Sequence, residues 1–449
     1  MGRTARDRRG RGARGPGRWA RFRASLAFHP GFRRLWLGDA ASQIGATATL
    51  FVLPLLAATV LDATPFQVGL VSTSTTAAFL LLGLPTGAWV DRMRCRRVLI
   101  IADAGRALAL ATIPLAAAAG VLTLPQLCLA ALGYGALTVF FDVAYQSYLP
   151  HLVGRDRLVE GNAKLAATQS VAQMGGPAAG GAAVQALTAP YAVVANVACF
   201  VWSAAWIARI RAPDPRPPRD PDRHLGREIG EGLRFVFGHR LLRAIAGCTG
   251  AFNLFRSASQ PMLIVLLSSG LGLSAAGIGL FFTVGAAGGV AGAFFARRIA
   301  AAAGQGRTMW TSTAGAGLCA LLVPLAQDDW RLWLAAAGEF GLVFGAAVYD
   351  VAQVSFRQRL CPGRLLGRMN ATMRFLVWGT MPLGAFLGGA LASVAGPRTV
   401  LWVAAAGMTT AFLPLYLSPL RGLRRLPGTE AAGEAAASVP SGPGATGGR

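Results

Sequence analysis

Apolar residues fall in long, regularly spaced runs broken by short polar stretches, and this rhythm organises the whole chain. The runs extend from Leu35 to Leu61, Phe66 to Val90, Val98 to Gly120, Leu122 to Leu149, Leu165 to Thr188 and Tyr191 to Ile210. After a polar interval they resume from Leu241 to Leu267, Ala275 to Ala296, Met309 to Ala326, Leu332 to Phe356, Phe375 to Ala395 and Thr399 to Leu417. Hydrocarbon about 30 Å thick needs roughly 20 apolar residues at about 1.5 Å rise each, so every run predicts a spanning helix. The expected fold class is an all-α membrane protein with twelve transmembrane helices in two pseudo-symmetric six-helix bundles.

The second set of runs repeats the first. A shift of 208 residues, the separation of Asp142 from Asp350, aligns Asp142-Val143-Ala144 with Asp350-Val351-Ala352. Without a gap the same shift pairs Ser147 with Ser355, Leu158 with Leu366, Asn162-Ala163 with Asn370-Ala371, and Gly180-Gly181 with Gly388-Gly389. Six spans separate the repeats, so both keep one orientation and an axis along the membrane normal should relate them. The expected domains are bundles at 35–211 and 241–420, joined by a linker at 212–240. Pro213 to Pro221 is too proline-rich for helix, while Arg227 to Arg243, with Ile229, Leu233, Val236 and Phe237 apolar, reads as a short interfacial amphipathic helix. Residues 1–34 and 421–449 read as disordered tails.

Composition agrees: 54% of residues are hydrophobic and 14% charged, which excludes a soluble core. A net charge of +24 suggests nucleic-acid binding until the arginines are placed on the spans. The N-terminal tail, Arg92 to Arg97, Arg155 to Lys164, Arg209 to Arg243, Arg297 to Arg307, Arg357 to Arg368 and Arg421 to Arg425 all fall on one side. Only Arg331 and Arg398 fall on the other, with Asp62, Asp328 and Asp329. Short cytoplasmic loops carry the positive excess, so the chain is expected in the inner (plasma) membrane, multi-pass, with both termini cytoplasmic and no nucleic-acid partner. Arg3 to Arg23 lacks a signal-peptide core and is expected to touch anionic lipid headgroups.

Cys95, Cys128, Cys199, Cys248, Cys319 and Cys361 show no paired spacing, and His29, His151, His224 and His239 lie outside the apolar runs. No metal box, cofactor site or catalytic constellation is visible, so the chain is not read as an enzyme.

Between the second and third runs, Gly83-Leu84-Pro85-Thr86-Gly87-Ala88-Trp89-Val90-Asp91-Arg92, followed by Arg94, Arg96 and Arg97, resembles the signature loop of the major facilitator superfamily. It departs at Arg94-Cys95, where family members carry a glycine before the final basic pair. Asn162-Ala163, Gly176-Pro177-Ala178-Ala179-Gly180-Gly181 and the stretch Arg227 to Val236 are similar to the branch of macrolide-efflux and enterobactin-exporter proteins. The resemblance covers roughly residues 30 to 420. It implies a central cavity between the halves, alternating access and, usually, proton exchange.

Asp91 can cap a helix N-terminus, and the eleventh span begins on its side near Arg368, which makes Asp91 the candidate gate latch. For Arg92 and its neighbours the topology rule is explanation enough, a gating role being the alternative. Gly176 and Gly180 lie one turn apart and Pro177 frees a carbonyl, which suits either an exporter-type gate or packing against the glycine-rich eighth span, Gly285 to Gly292.

Ionisable groups inside spans carry the mechanistic signal, since each costs about 2.5–3.5 kcal/mol at a helix centre. Arg256 sits roughly 22 Å into the seventh span and Glu339 about 13 Å into the tenth, so both can face one cavity. The expectation is that Glu339 takes or releases a proton while Arg256 raises its acidity and binds a polar or anionic substrate group, a fixed structural pair being the alternative. Asp103 and Arg106 stand three apart and are expected to pair with each other. Asp39 is placed about one turn inside the first span, partly hydrated, and Asp142 and Asp350 at symmetric span ends as loop anchors. Gln43, Phe51, Gln169, Phe252, Asn253, Gln260, Phe281 and Trp378 are candidates for an apolar cavity wall with few polar hooks.

Three functional classes follow: a proton-coupled exporter of a moderately hydrophobic small molecule such as a drug, antibiotic or siderophore; a nutrient importer on the same scaffold; and a non-transporting receptor or regulatory subunit. The expected partners are a small-molecule substrate, protons and membrane lipids, with the protein a monomer.

Overall fold

A computed structural model describes residues 26–90, 92–154, 157–211, 225–361 and 366–422. Six helices make the first bundle: α1 (Pro30–Thr59), α2 (Pro65–Val90), α3 (Cys95–Ala118), α4 (Leu124–Val153), α5 (Leu158–Leu187) and α6 (Ala189–Ala208). A short α7 (Leu225–Gly238) leads into α8 (Arg240–Val265), α9 (Ala275–Ala303), α10 (Gln305–Ala320) and α11 (Arg331–Leu360). The eleventh span is split at Gly379 into α12 (Leu366–Trp378) and α13 (Thr380–Ala395), and α14 (Pro397–Thr410) with α15 (Leu413–Tyr416) completes the twelfth.

Helix starts follow local chemistry. His29 accepts the Phe32 N–H with Pro30 in the first turn, so α1 begins five residues before its apolar run. His239 caps α8 in the same way through the Leu241 N–H. Pro324 ends the ninth span in a single 3-10 turn, Val323–Leu325. Ten described helices are long and apolar enough to cross a membrane. The fifth and seventh spans are the more polar two: α5 carries Glu160, Lys164, Gln169 and Gln173, and α8 carries Arg240, Arg243 and Arg256.

Packing repeats between halves. Helix α1 lies on α5 and α6, α3 on α4 and α6, and α2 on α4; correspondingly α8 lies on α13 and α14, α10 on α11 and α14, and α9 on α11. The bundles meet through α2 against α13 and α5 against α9. The 208-residue register reaches the turns: Thr188 between α5 and α6 has φ 68°, and its counterpart Gly396 between α13 and α14 has φ 82°. Glycine adopts that left-handed backbone freely, whereas β-branched threonine does so against steric cost.

One apolar core crosses the two halves, uniting Phe51 to Ala58 with Met262 to Leu267, Ile278, Phe281 and Phe282 at the end away from the basic connections. Toward the basic end the core divides, one part around Phe32, Leu35 and Tyr148, another around Ile245, Tyr349 and Phe356. The described conformation thus has one shared apolar core at the acidic end and separate ones toward the basic end. There α7 lies along α12, with Glu231 paired to Arg368 and Val236 buried, while Phe237 and Arg234 stay exposed.

Candidate functional site

Within the second bundle, Arg256 of α8 donates from Nη2 to Glu339 Oε1 of α11 at 2.7 Å. The Glu339 side chain is 2% exposed and that of Arg256 21%, so the carboxylate is enclosed while a fifth of its partner's side chain is accessible. Arg256 Nη1 and Glu339 Oε2 are buried without a hydrogen-bond partner among the described residues. An ion pair with one accessible member can exchange its bond for a ligand at less cost than one shut in on both sides. The polar groups near it on α8 are turned inward: Asn253 donates to the Thr249 carbonyl and Ser257 to the Asn253 carbonyl. Gln260 and, on α5, Gln169 are exposed.

The first bundle holds a contrasting pair. Asp103 and Arg106 are joined to each other on α3, with side chains 0% and 2% exposed. Ser42 Oγ of α1 receives Arg106 Nη2 at 3.1 Å, and the guanidinium lies between the rings of Phe141, 4.2 Å away, and Phe200, 4.6 Å away. Neither ring was indicated by the sequence. Asp39 needs a correction: because α1 starts at Pro30, it lies more than two turns inside, 1% exposed, accepting from Gln43 Nε2 at 3.3 Å. Asp142 and Asp350 also move, from span ends to positions inside α4 and α11, since both helices run on through Tyr148 and Phe356.

The aromatic candidates separate. Phe51 meets Phe282 edge-on at 5.8 Å in the core that joins the halves, where Phe281 is also buried. Phe252 packs with Ala316, Leu342 and Met408 inside the second bundle. Trp378 contacts Phe79 across the interface at 4.6 Å and carries Arg374 over its face at 4.3 Å. Arg374 in turn donates to Gln146 of α4 at 2.8 Å and lies within electrostatic reach of Asp142. This bridge joins the halves toward the basic end and was missed because Arg374 sits in a stretch read as loop and span edge.

Among the gate residues, Gly176 and Gly180 pack on α1 at Thr47, Phe51 and Val52, not on the eighth span. Pro177 and Gly181 meet the eighth span, at Gly279 and Ala275, and the Met174 carbonyl accepts from Thr283 Oγ1 there at 3.1 Å, while Gly285, Gly288 and Gly292 face α11. Periodicity gives a glycine's helix face but not which neighbour fills it. Arg92 is exposed and Gly87 has open space around its Cα; Asp91 lies outside the described residues. Among the described residues no group of three or more His, Cys, Asp or Glu side chains is placed to hold a metal ion.

A family profile described as transmembrane secretion effector matches residues 18–436. The enterobactin exporter EntS of Shigella dysenteriae serotype 1 (strain Sd197) is 25% identical over 406 residues, 90% of this chain and 95% of that protein. The multidrug efflux pump Tap of Mycobacterium tuberculosis (strain ATCC 25618 / H37Rv) is 29% identical over 381 residues, 80% and 87% of the respective lengths. In solved structures, the nucleoside transporter NupG superposes with a TM-score of 0.70 at 11% identity, covering 86% of this chain and 99% of that one. A bacterial homologue of the iron transporter ferroportin, in an inward-facing state, gives 0.67 at 16% identity, covering 86% and 98%.

Proposed function

Because the chain belongs to the transmembrane secretion effector family of the major facilitator superfamily, we propose that it is a proton-coupled exporter of a moderately hydrophobic small molecule. It is an integral inner-membrane transporter and not an enzyme. The basic end faces the cytoplasm with both termini, the bundles at 35–211 and 241–420 rock about their interface, and the protein acts as a monomer. A division of the buried core at the basic end, where Arg374–Gln146 and Phe79–Trp378 still bridge the halves, supports a cytoplasm-facing state in the described conformation.

The observation that carries the reading is the Arg256–Glu339 pair, enclosed at the acid and open at the base. While Glu339 is ionised it holds Arg256 in place, with the accessible part of that side chain presented to a polar or anionic group of the substrate. When Glu339 takes a proton, its bond to Arg256 weakens, the guanidinium leaves that position and the substrate is released. Proton and substrate therefore occupy the site in alternation, which is how one site couples two fluxes in opposite directions. Export is supported by the relatives' own roles in efflux, and a hydrophobic cargo by the apolar faces of Phe79 and Trp378 beside the interface.

Everted vesicles, offered a panel of amphipathic dyes and antibiotics in the medium, test this. Accumulation of at least one compound that collapses when the proton gradient is dissipated is expected. Gradient-independent equilibration of every compound, or accumulation only in right-side-out vesicles, contradicts export and points to import.

A further inference from the structure

We infer that Gly285 is a positioning residue for Glu339: the side chain it lacks is the space through which the Glu339 carboxylate reaches Arg256. The inference rests on the proton-carrying role proposed for Glu339.

A Cβ placed on Gly285 would lie 2.6 Å from Glu339 Cγ, 3.5 Å from Oε1 and 3.6 Å from Cδ. Contacts below 3.0 Å are essentially never made by real Cβ atoms, so an alanine here must displace something. The atom in the way is the methylene that carries the carboxylate, and Oε1 is the oxygen that binds Arg256.

The backbones are in no position to yield instead. One turn along α9, Gly288 abuts the Phe340 carbonyl, and a further turn on Gly292 abuts the Phe344 carbonyl. Both are close backbone contacts, which set the separation of α9 and α11 over the two turns that follow Gly285. Opening the helices at Gly285 would forfeit them, so the Glu339 side chain is the element that turns. Its other oxygen, Oε2, has no hydrogen-bond partner among the described residues to hold it in place. A displacement of a few tenths of an ångström or more at Cγ is therefore transmitted to the one bond that fixes the carboxylate.

Gly289, on the same helix, offers a matched control. A Cβ there meets only Val343 Cγ1, at 3.1 Å, and touches neither member of the pair.

The test needs no substrate. In purified protein reconstituted in lipid nanodiscs, pH-difference infrared spectroscopy follows the carboxylic-acid stretch of Glu339, identified by its loss in Glu339→Gln. Gly285→Ala is expected to displace the titration midpoint of that band at least tenfold in proton concentration. Gly289→Ala is expected to leave it within twofold. An unmoved midpoint in folded Gly285→Ala overturns the positioning role and leaves the pair's coupling role standing. If Glu339→Gln removes no titrating band, Glu339 carries no proton, and the coupling reading fails together with this one. Should Gly285→Ala not accumulate, adding Glu339→Ala removes the obstructing Cγ and is expected to restore the folded yield. A yield that stays low in the double variant shows that the alanine disturbs packing elsewhere and overturns the inference.

Discussion

Among the described residues each bundle buries an arginine–carboxylate pair, but the first encloses its pair on all sides while the second leaves its arginine partly accessible. Arg106 is covered by Phe141, Phe200 and Ser42, and Arg256 keeps a fifth of its side chain accessible; in both pairs one carboxylate oxygen and one guanidinium nitrogen are buried without a hydrogen-bond partner among the described residues. The difference separates two uses of charge in a membrane. A pair with every side covered can only stand or break, so it pins α1, α3, α4 and α6 together. A pair with one open side can change partners, and that is the requirement for coupling.

Breaking the enclosed pair should have the largest effect. Arg106→Ala leaves Asp103 as an uncompensated buried charge, a loss of about 3–5 kcal/mol. The expected result is little folded protein by size-exclusion chromatography in detergent, with no selective change in substrate preference. Normal yield from this variant would show the pair to be dispensable for folding.

Removing the charge of the open pair should do the reverse. Glu339→Gln keeps the shape and a hydrogen-bonding group, so thermal stability is expected to stay near the parent value while gradient-driven flux falls at least tenfold, about 1.4 kcal/mol. A parallel loss of folded protein would make this pair structural as well.

The repeats also differ at one turn, and the difference predicts a gain. Thr188→Gly gives the first bundle the residue that the second already has at Gly396, relieving a left-handed backbone that costs an L-residue about 1–2 kcal/mol. Glycine's own flexibility in the unfolded chain offsets part of this. A net stabilisation of about 1 kcal/mol is expected, read as a higher melting temperature, while Gly396→Thr should lower it.

The smallest effect is expected at the two histidine caps. Burial holds the His239 imidazole below its ordinary value, and the neutral Nδ1 accepts the Leu241 N–H at 3.3 Å. A proton therefore binds the unfolded state first. The cap's contribution is complete above about pH 6.5 and is lost as pH falls through the lowered folded value. The protection of the Leu241 amide, measured as its exchange rate against that of an unstructured amide at the same pH, should fall on acidification to pH 5, and His239→Ala should abolish that change. Equal pH dependence in the variant would assign the effect elsewhere.

Much of this comparison was legible in the sequence. Run length gave the twelve spans, and the Asp142/Asp350 register gave the repeat, because both depend only on local composition and spacing. Depth along two separate spans was enough to bring Arg256 and Glu339 together, and a three-residue separation paired Asp103 with Arg106. What covers each pair was not legible. Phe141 and Phe200 reach Arg106 from α4 and α6, and Gly285 meets Glu339 from α9, contacts that arise only when helices distant in sequence pack. The depth of Asp39 was misjudged for a local reason, since His29 and Pro30 start the helix before the apolar run does. Gly176 and Gly180 show the same limit from the other side: their shared face was evident, but α1 and not the eighth span occupies it.

The most direct test of the contrast is transport by Glu339→Gln in proteoliposomes, using a compound that the unmodified protein accumulates. Flux driven by an imposed pH gradient and substrate counterflow without a gradient would be measured on the same preparation. The account predicts that counterflow persists within a few-fold of the parent while gradient-driven accumulation disappears. Accumulation that follows the pH gradient undiminished would contradict it, and would leave Arg256–Glu339 a structural pair like Asp103–Arg106.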